Sequence, residues 1–254
     1  IERTLRETLD MPVFHDDQHG TAIVVAAALI NGVKIRGCGM EDLRVTINGA
    51  GAAGIAVTKL LLGLGVGDIV PCDRLGAIYE GRKERMDFSK EEIARMTNKE
   101  RRTGTLSEVI VGSDVFIGLS GPGALTPEMV ASMAPNPLVF ALANPTPEIT
   151  PELALEAGAL AVATGRSDYP NQVNNSLAFP GVFRGALDVK ARTIDDTMKL
   201  AAARAIADLV DPSELSRDFL IPDSLDLRVA PRVAAAVANA AVANGLARNP
   251  IDPR

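Results

Sequence analysis

The chain has 254 residues, 47% hydrophobic and 23% charged, close to globular averages, which excludes wholesale disorder and suits one large α/β domain over 1–254. A formal net charge of -6 gives no general attraction to phosphate backbones or anionic lipid, so nucleic acid and membrane are set aside and a small molecule is the expected partner. Two cysteines, Cys38 and Cys72, are too few and too far apart for a disulfide scaffold or a thiolate metal site, and fit a reducing, cytoplasmic setting.

The first segment, IERTLRETLD, is charged and helix-like, without a signal-peptide apolar region, and reads as a piece of something longer. Next, Asp16 and Asp17 and both histidines of the chain, His15 and His19, fall within five positions before an apolar helix over 21–33. Two readings stay open. Asp16 or Asp17 caps the helix, or the segment holds a cation: carboxylate oxygens suit Mg²⁺ or Mn²⁺, imidazoles suit Zn²⁺ or Fe²⁺. The apolar run 22–30 is well short of the ~18 residues that a membrane span needs.

Short apolar runs at 43–48, 68–72, 114–119, 138–143 and 160–164 read as buried parallel strands. Helical patterns lie between them: 52–62, 90–97 behind a capping box from Ser89 to Glu92, 106–111, 127–133 and 151–157. Three more follow at 180–190, 195–209 and 228–246. Thr-Pro-Glu recurs at Thr126, Thr146 and Thr150, with Thr suited to an N-cap and Pro to the first helical turn, so helices are expected to start at Thr126 and Thr150. Alternating strands and helices predict a Rossmann-type, doubly wound, mostly parallel sheet with helices on both faces and additional C-terminal helices.

Gly49-Ala50-Gly51-Ala52-Ala53-Gly54 stands between the first strand and a helix of small and aliphatic residues. That is GxGxxG in its required context. Gly49 permits the tight turn, Gly51 lets backbone approach a pyrophosphate, Gly54 lets helix pack on strand, and the helix N-terminus offers N–H groups to the anion. Asp73 ends the next strand, 19 residues beyond Gly54, where a carboxylate can accept hydrogen bonds from an adenosine ribose. Asp73 favours NAD, whereas Arg74, Arg82, Lys83 and Lys90 could neutralise the extra phosphate of NADP; the reading leans to NAD with NADP as the alternative. Ser120-Gly121-Pro122-Gly123 is either a turn or a second close approach to the cofactor, and Asn144, Asn174 and Asn175 taken alone read as turn and loop residues.

The run PVFHDDQHGTAIVVAAALINGVK, followed by INGAGAAGIA, resembles the signature of bacterial malic enzymes. DRLGAIYEGR, IGLSGPGALT, FALANPTPEI and NNSLAFPGVFRGALD resemble that family in the same order, so the likeness spans nearly the whole chain. It implies the NAD(P)-binding domain of an enzyme that oxidatively decarboxylates malate to pyruvate with NAD or NADP and Mg²⁺ or Mn²⁺. By motif match Asp17 is a metal ligand. Asp16 lies beside it, either tuning the catalytic base or only capping, and His15 and His19 are structural. Thr21, Gly49, Ala50, Gly51, Ala52, Ala53, Gly54, Asp73, Ser120 and Asn144 would face the cofactor. Asn144, Asn174 and Asn175 would face the substrate. The resemblance also implies a preceding region carrying a tyrosine acid, a lysine base and a Glu-Asp metal pair, none matched here, and a homo-oligomer at full length. The 254 residues alone are therefore expected to bind nucleotide without turning over malate. The alternatives are a stand-alone dinucleotide-binding regulatory module, which needs no metal carboxylate, and another Rossmann dehydrogenase such as an amino-acid dehydrogenase, which leaves the DDQHGT segment unexplained.

Overall fold

A computed structural model of the chain describes residues 2–249. Helix α1 (Glu2–Thr8) matches the charged first segment, although Ile1 lies outside the described residues. A one-turn π-helix, Asp16–Gly20, then runs directly into α2 (Thr21–Arg36). The alternation that follows is β1 (Arg44–Asn48), α3 (Ala52–Leu64), β2 (Asp68–Asp73), β3 (Gly76–Ala77), α4 (Phe88–Met96), α5 (Leu106–Val109) and β4 (Val115–Gly118). After it come α6 (Pro127–Ala131), β5 (Leu138–Ala141), α7 (Pro151–Glu156), β6 (Ala161–Thr164), a 3₁₀ turn (Asn175–Leu177), α8 (Phe179–Asp188), α9 (Asp196–Ala207) and α10 (Val229–Ala243).

The sheet order is β3-β2-β1-β4-β5-β6, with every pair parallel except β2–β3. This is the expected doubly wound arrangement, and its order reverses between β1 and β4, where such sheets open a ligand crevice. Alternate side chains of the strands serve opposite faces. Val45, Ile47, Val115 and Ile117 pack with α2, α3, α8, α9 and α10, while Phe116, Val139 and Val162 pack with α5, α6 and α7. Helix α2 is apolar on all sides, from Ala22 to Leu29, because it is sandwiched between the sheet and α9.

One local expectation changes. The capping box at Ser89 gives way to Asp87, whose carboxylate accepts from the N–H groups of both Ser89 and Lys90, so α4 begins before Ser89. Thr126 and Thr150 do precede helices, and Thr126 caps through its side chain. Thr146-Pro147-Glu148 instead stays a loop, because the Glu148 side chain turns inward rather than sitting in a solvated first helical turn. The short edge strand β3 gives no apolar run in sequence; Gly76 is admitted there at φ 99°, with the Gly104 carbonyl only 2.0 Å from where a Cβ would lie.

Candidate active site

The glycine loop joins β1 to α3, and its three glycines meet three different constraints. Gly49 adopts φ 125°, and a Cβ there would lie 2.5 Å from the Leu119 carbonyl oxygen. At Gly54 a Cβ would lie 1.7 Å from the Gly49 carbonyl oxygen, so helix and loop touch only because the side chain is missing. Gly51 is different: it is exposed, its φ is -80°, and nothing lies within 4 Å of its Cβ position. The protein makes no demand for glycine at 51, whereas a ligand approaching the backbone would. Gly51 is also the N-cap of α3 and places no side chain over the free N–H groups of that helix. The loop therefore fits a pyrophosphate.

A cleft of about 640 Å³ opens over the strand ends, lined by Asn48, Gly49, Ala50, Gly51, Asp73, Ser120 and Gly121 among others. Ala52 and Ala53 form the first turn of α3 beside it. Asp73 closes β2, and its carboxylate is fully engaged. Oδ1 accepts from Arg82 Nη2 at 2.7 Å and from the Leu75 N–H at 2.9 Å, and Oδ2 accepts from Lys90 Nζ at 2.7 Å. Burial alone would raise the Asp73 carboxyl, but the hydrogen bonds from Lys90, Arg82 and Leu75 outweigh it and hold the group below its ordinary range. Arg82 is buried and also donates to the Gly76 and Ala77 carbonyls, so it braces the β2–β3 corner instead of facing a phosphate. Lys90, Arg74 and Arg85 line the cleft, Arg85 without any sequence signal that singled it out. Lys83 is exposed.

On the other side of the cleft, the loops after β1, β4 and β5 are tied together. Asn48 Nδ2 donates to Ser120 Oγ at 2.8 Å. The Ser120 N–H donates to Glu148 Oε1 and the Ala143 N–H to Glu148 Oε2, each at 3.0 Å. Asn144, next in the β5 loop, is exposed and precedes a cis peptide bond to Pro145. Sequence reading passed over Asn48 and Glu148, because a strand-end asparagine and the third residue of a repeated tripeptide carry no pattern of their own.

The acidic pair sits on the π-turn, which packs against α2, α3 and the 3₁₀ turn. Asn175 Nδ2 donates to Asp16 Oδ2 at 2.5 Å, joining residues 159 apart in sequence. Gly20 makes this possible, since a Cβ there would lie 2.2 Å from Asp16 Oδ1 and 3.1 Å from the Asn175 Cβ. Asp16 Oδ1 is buried without a hydrogen-bond partner among the described residues. Burial, then the neighbouring Asp17 charge, raises the Asp16 carboxyl. Asp17 itself is exposed. Asn174 is spent locally: its side chain accepts from the Ser176 N–H and caps the 3₁₀ turn. Thr21 links π-turn to α2, its N–H donating to the Asp16 and Gln18 carbonyls.

The histidines diverge. His19 is half-buried against Glu2, 3.2 Å away, and burial together with Lys199 pushes its imidazole down to about 4. His15 is exposed. Among the described residues no group of three His, Cys, Asp or Glu side chains is placed to hold a metal ion. The π-turn itself offers hard oxygen, in the orphaned Asp16 Oδ1 and the exposed Asp17, of the kind that suits Mg²⁺ or Mn²⁺. Both cysteines are free thiols, and no helix among the described residues is long and apolar enough to cross a membrane.

The family model described as malic enzyme, NAD binding domain, matches residues 18–242. The bifunctional malic/malolactic enzyme of Bacillus subtilis (strain 168) is 60% identical over 253 residues, which cover 100% of this chain and 62% of that protein. The NAD-dependent malic enzyme of Geobacillus stearothermophilus is 53% identical over 248 residues, covering 98% and 52%. The crystal structure of malic enzyme from Pyrococcus horikoshii superposes with a TM-score of 0.94 at 43% identity, covering 99% of this chain and 60% of that one. The chain thus spans between half and two thirds of the length of these proteins. Strand order, glycine loop, acidic π-turn and these matches agree: the chain belongs to the malic enzyme NAD-binding domain family.

Proposed function

We propose that the chain, as one domain over 1–254, binds NAD⁺ or NADP⁺ for a malic enzyme that oxidatively decarboxylates malate to pyruvate and CO₂. The observation that carries this reading is Gly51, exposed at the N-terminus of α3 with open space where a side chain would be. The dinucleotide then spans from Asp73, Lys90 and Arg74 at its adenosine end, over Gly49 to Gly51, towards Ser120 at its nicotinamide end, along residues that line the cleft, with Asn144 exposed in the neighbouring loop after β5. The nicotinamide, when bound, accepts the hydride removed from the hydroxyl-bearing carbon of malate.

Asp17 is the residue here that would hold Mg²⁺ or Mn²⁺, with Asp16 beside it. The cation would polarise the keto group and stabilise the enolate left by decarboxylation. Asp16, raised above the ordinary carboxylate range and tethered by Asn175, orients the polar end of the site and keeps the Asn175 amide directed at it. Asn144 stands exposed in the loop that follows β5, on the side where ligands meet open α/β sheets. One exposed carboxylate is a weak anchor for a cation that relies on several oxygens. The 254 residues alone therefore bind nucleotide but do not turn over malate. Oxidation of malate by the chain alone that survives Asp17→Ala would refute this division of labour.

A stand-alone regulatory module is disfavoured by the acidic π-turn, since a nucleotide sensor needs no Asp16 and Asp17 beside Asn175. The cytoplasmic setting and a homo-oligomer at full length belong to the same proposal, and rest on the two free thiols and on exposed Leu225 and Leu227. Sedimentation of the full-length polypeptide tests the assembly.

A further inference from the structure

Glu148 is wholly buried, at 0% exposure, yet makes no ion pair among the described residues. Burying a carboxylate without a counter-charge is costly, and burial raises the Glu148 carboxyl despite the N–H groups it accepts from. Each oxygen accepts one backbone N–H at 3.0 Å, Oε1 from Ser120 in the loop after β4 and Oε2 from Ala143 in the loop after β5. The neighbouring strand is carved to admit it: a Cβ on Gly118 would lie 2.4 Å from Glu148 Cδ. The Glu148 carbonyl also accepts from the Leu125 N–H at 3.3 Å, anchoring the far end of the Ser120 loop. Through Ser120 Oγ the brace reaches Asn48 at the end of β1.

The geometry points to Glu148 as a positioning residue that fixes the nicotinamide half of the nucleotide cleft, by setting the Ser120 loop against the loop that carries Asn144. This inference rests on the nucleotide-binding reading above. Only an acceptor-only group with two oxygens can satisfy both N–H donors. Glutamine has the same volume but turns an NH₂ towards one of them, so one loop is released while the cradle stays filled. The adenosine half hangs on β2 and α3, and among the described residues no hydrogen bond joins Glu148 to Asp73, Lys90 or Gly51.

The test compares NAD⁺ with ADP-ribose, which lacks only the nicotinamide, in calorimetric titrations of the 254-residue chain. For Glu148→Gln the expected result is NAD⁺ binding weakened about tenfold, the scale of one lost charge-assisted hydrogen bond, with ADP-ribose affinity nearly unchanged. Gly118→Ala, which pushes the carboxylate out of its cradle without removing its charge, should raise the same ratio and gives the reading if the glutamine variant does not fold. Parallel loss of both ligands, or no loss of either in a folded variant, would overturn the positioning role alone. Failure of the unaltered chain to bind ADP-ribose would overturn the nucleotide reading and this inference with it.

Discussion

Asn175 donates to the Asp16 carboxylate at 2.5 Å across 159 residues of sequence, and Gly20 leaves the space in which they meet. The pair fixes the π-turn to the 3₁₀ turn, so the acidic end of the site is positioned by a contact between the first and last thirds of the chain. Gly20→Ala places a methyl group on Asp16 Oδ1. We expect it to cost about 1–3 kcal/mol, the usual range for overpacking, read as a lowered urea midpoint. Asn175→Ala creates no clash and is expected to destabilise less. Equal losses for the two variants would show that Gly20 is not the tighter constraint.

The glycine loop separates ligand contact from fold. The Cβ introduced by Gly51→Val meets no protein atom within 4 Å and sits at an ordinary φ of -80°, so melting should hold while NAD⁺ and NADP⁺ binding is lost in calorimetry. Gly54→Ala drives a methyl group onto the Gly49 carbonyl, and should lower the melting temperature even without ligand. Undiminished affinity in the Gly51 variant would remove the pyrophosphate from this loop.

Nucleotide choice turns on Asp73, whose charge is already matched by Arg82 and Lys90. With two cations on one carboxylate, repulsion of a 2'-phosphate is muted and only a modest preference for NAD⁺ is expected. Lys90→Gln removes one of those cations from the cleft, and should widen the preference by weakening NADP⁺ more than NAD⁺. Titration of both nucleotides checks it, and strong NADP⁺ preference in the unaltered chain would make Lys90, rather than Asp73, the dominant charge.

Asp73 also sets a pH dependence. Its carboxyl lies below the ordinary value of 3.8 in the folded chain, so its ion pairs contribute fully above that value and are lost as the pH falls through the folded pKa. Asp73→Asn should lower stability at neutral pH and flatten the acid limb of the unfolding profile, measured by denaturant melts from pH 6 downward. An unchanged acid limb would move the effect to other carboxylates.

The two cysteines should differ sharply in reactivity. Cys72 is buried at 0% exposure in β2, and burial, reinforced by the adjacent Asp73 charge, pushes its thiol up to about 12. Cys38 is half-buried, 3.3 Å from the Arg36 guanidinium. A thiol reagent should therefore titrate one cysteine in the folded chain and both after unfolding. Fast modification of Cys72 in native buffer would contradict its placement in the core.

The sequence by itself determined the alternation of strands and helices, the glycine loop and the acidic segment, because each is a local pattern. Short continuous apolar runs mark β1 and β4 as strands buried on both faces, and a strand–GxGxxG–helix order is read without tertiary knowledge. Local competition already blurred the boundaries, as at Asp87, which outbids Ser89 as the cap because one carboxylate can accept two N–H groups. Tertiary structure alone decided which polar residues meet. Asn174 and Asn175 are neighbours in sequence, but the fold spends the first on capping a turn and directs the second at Asp16. Glu148 and Glu128 hold the same place in the same tripeptide. One is sealed between two loops and the other stands exposed in the first turn of α6, because only Glu148 lies beside a strand whose Gly118 leaves room for it.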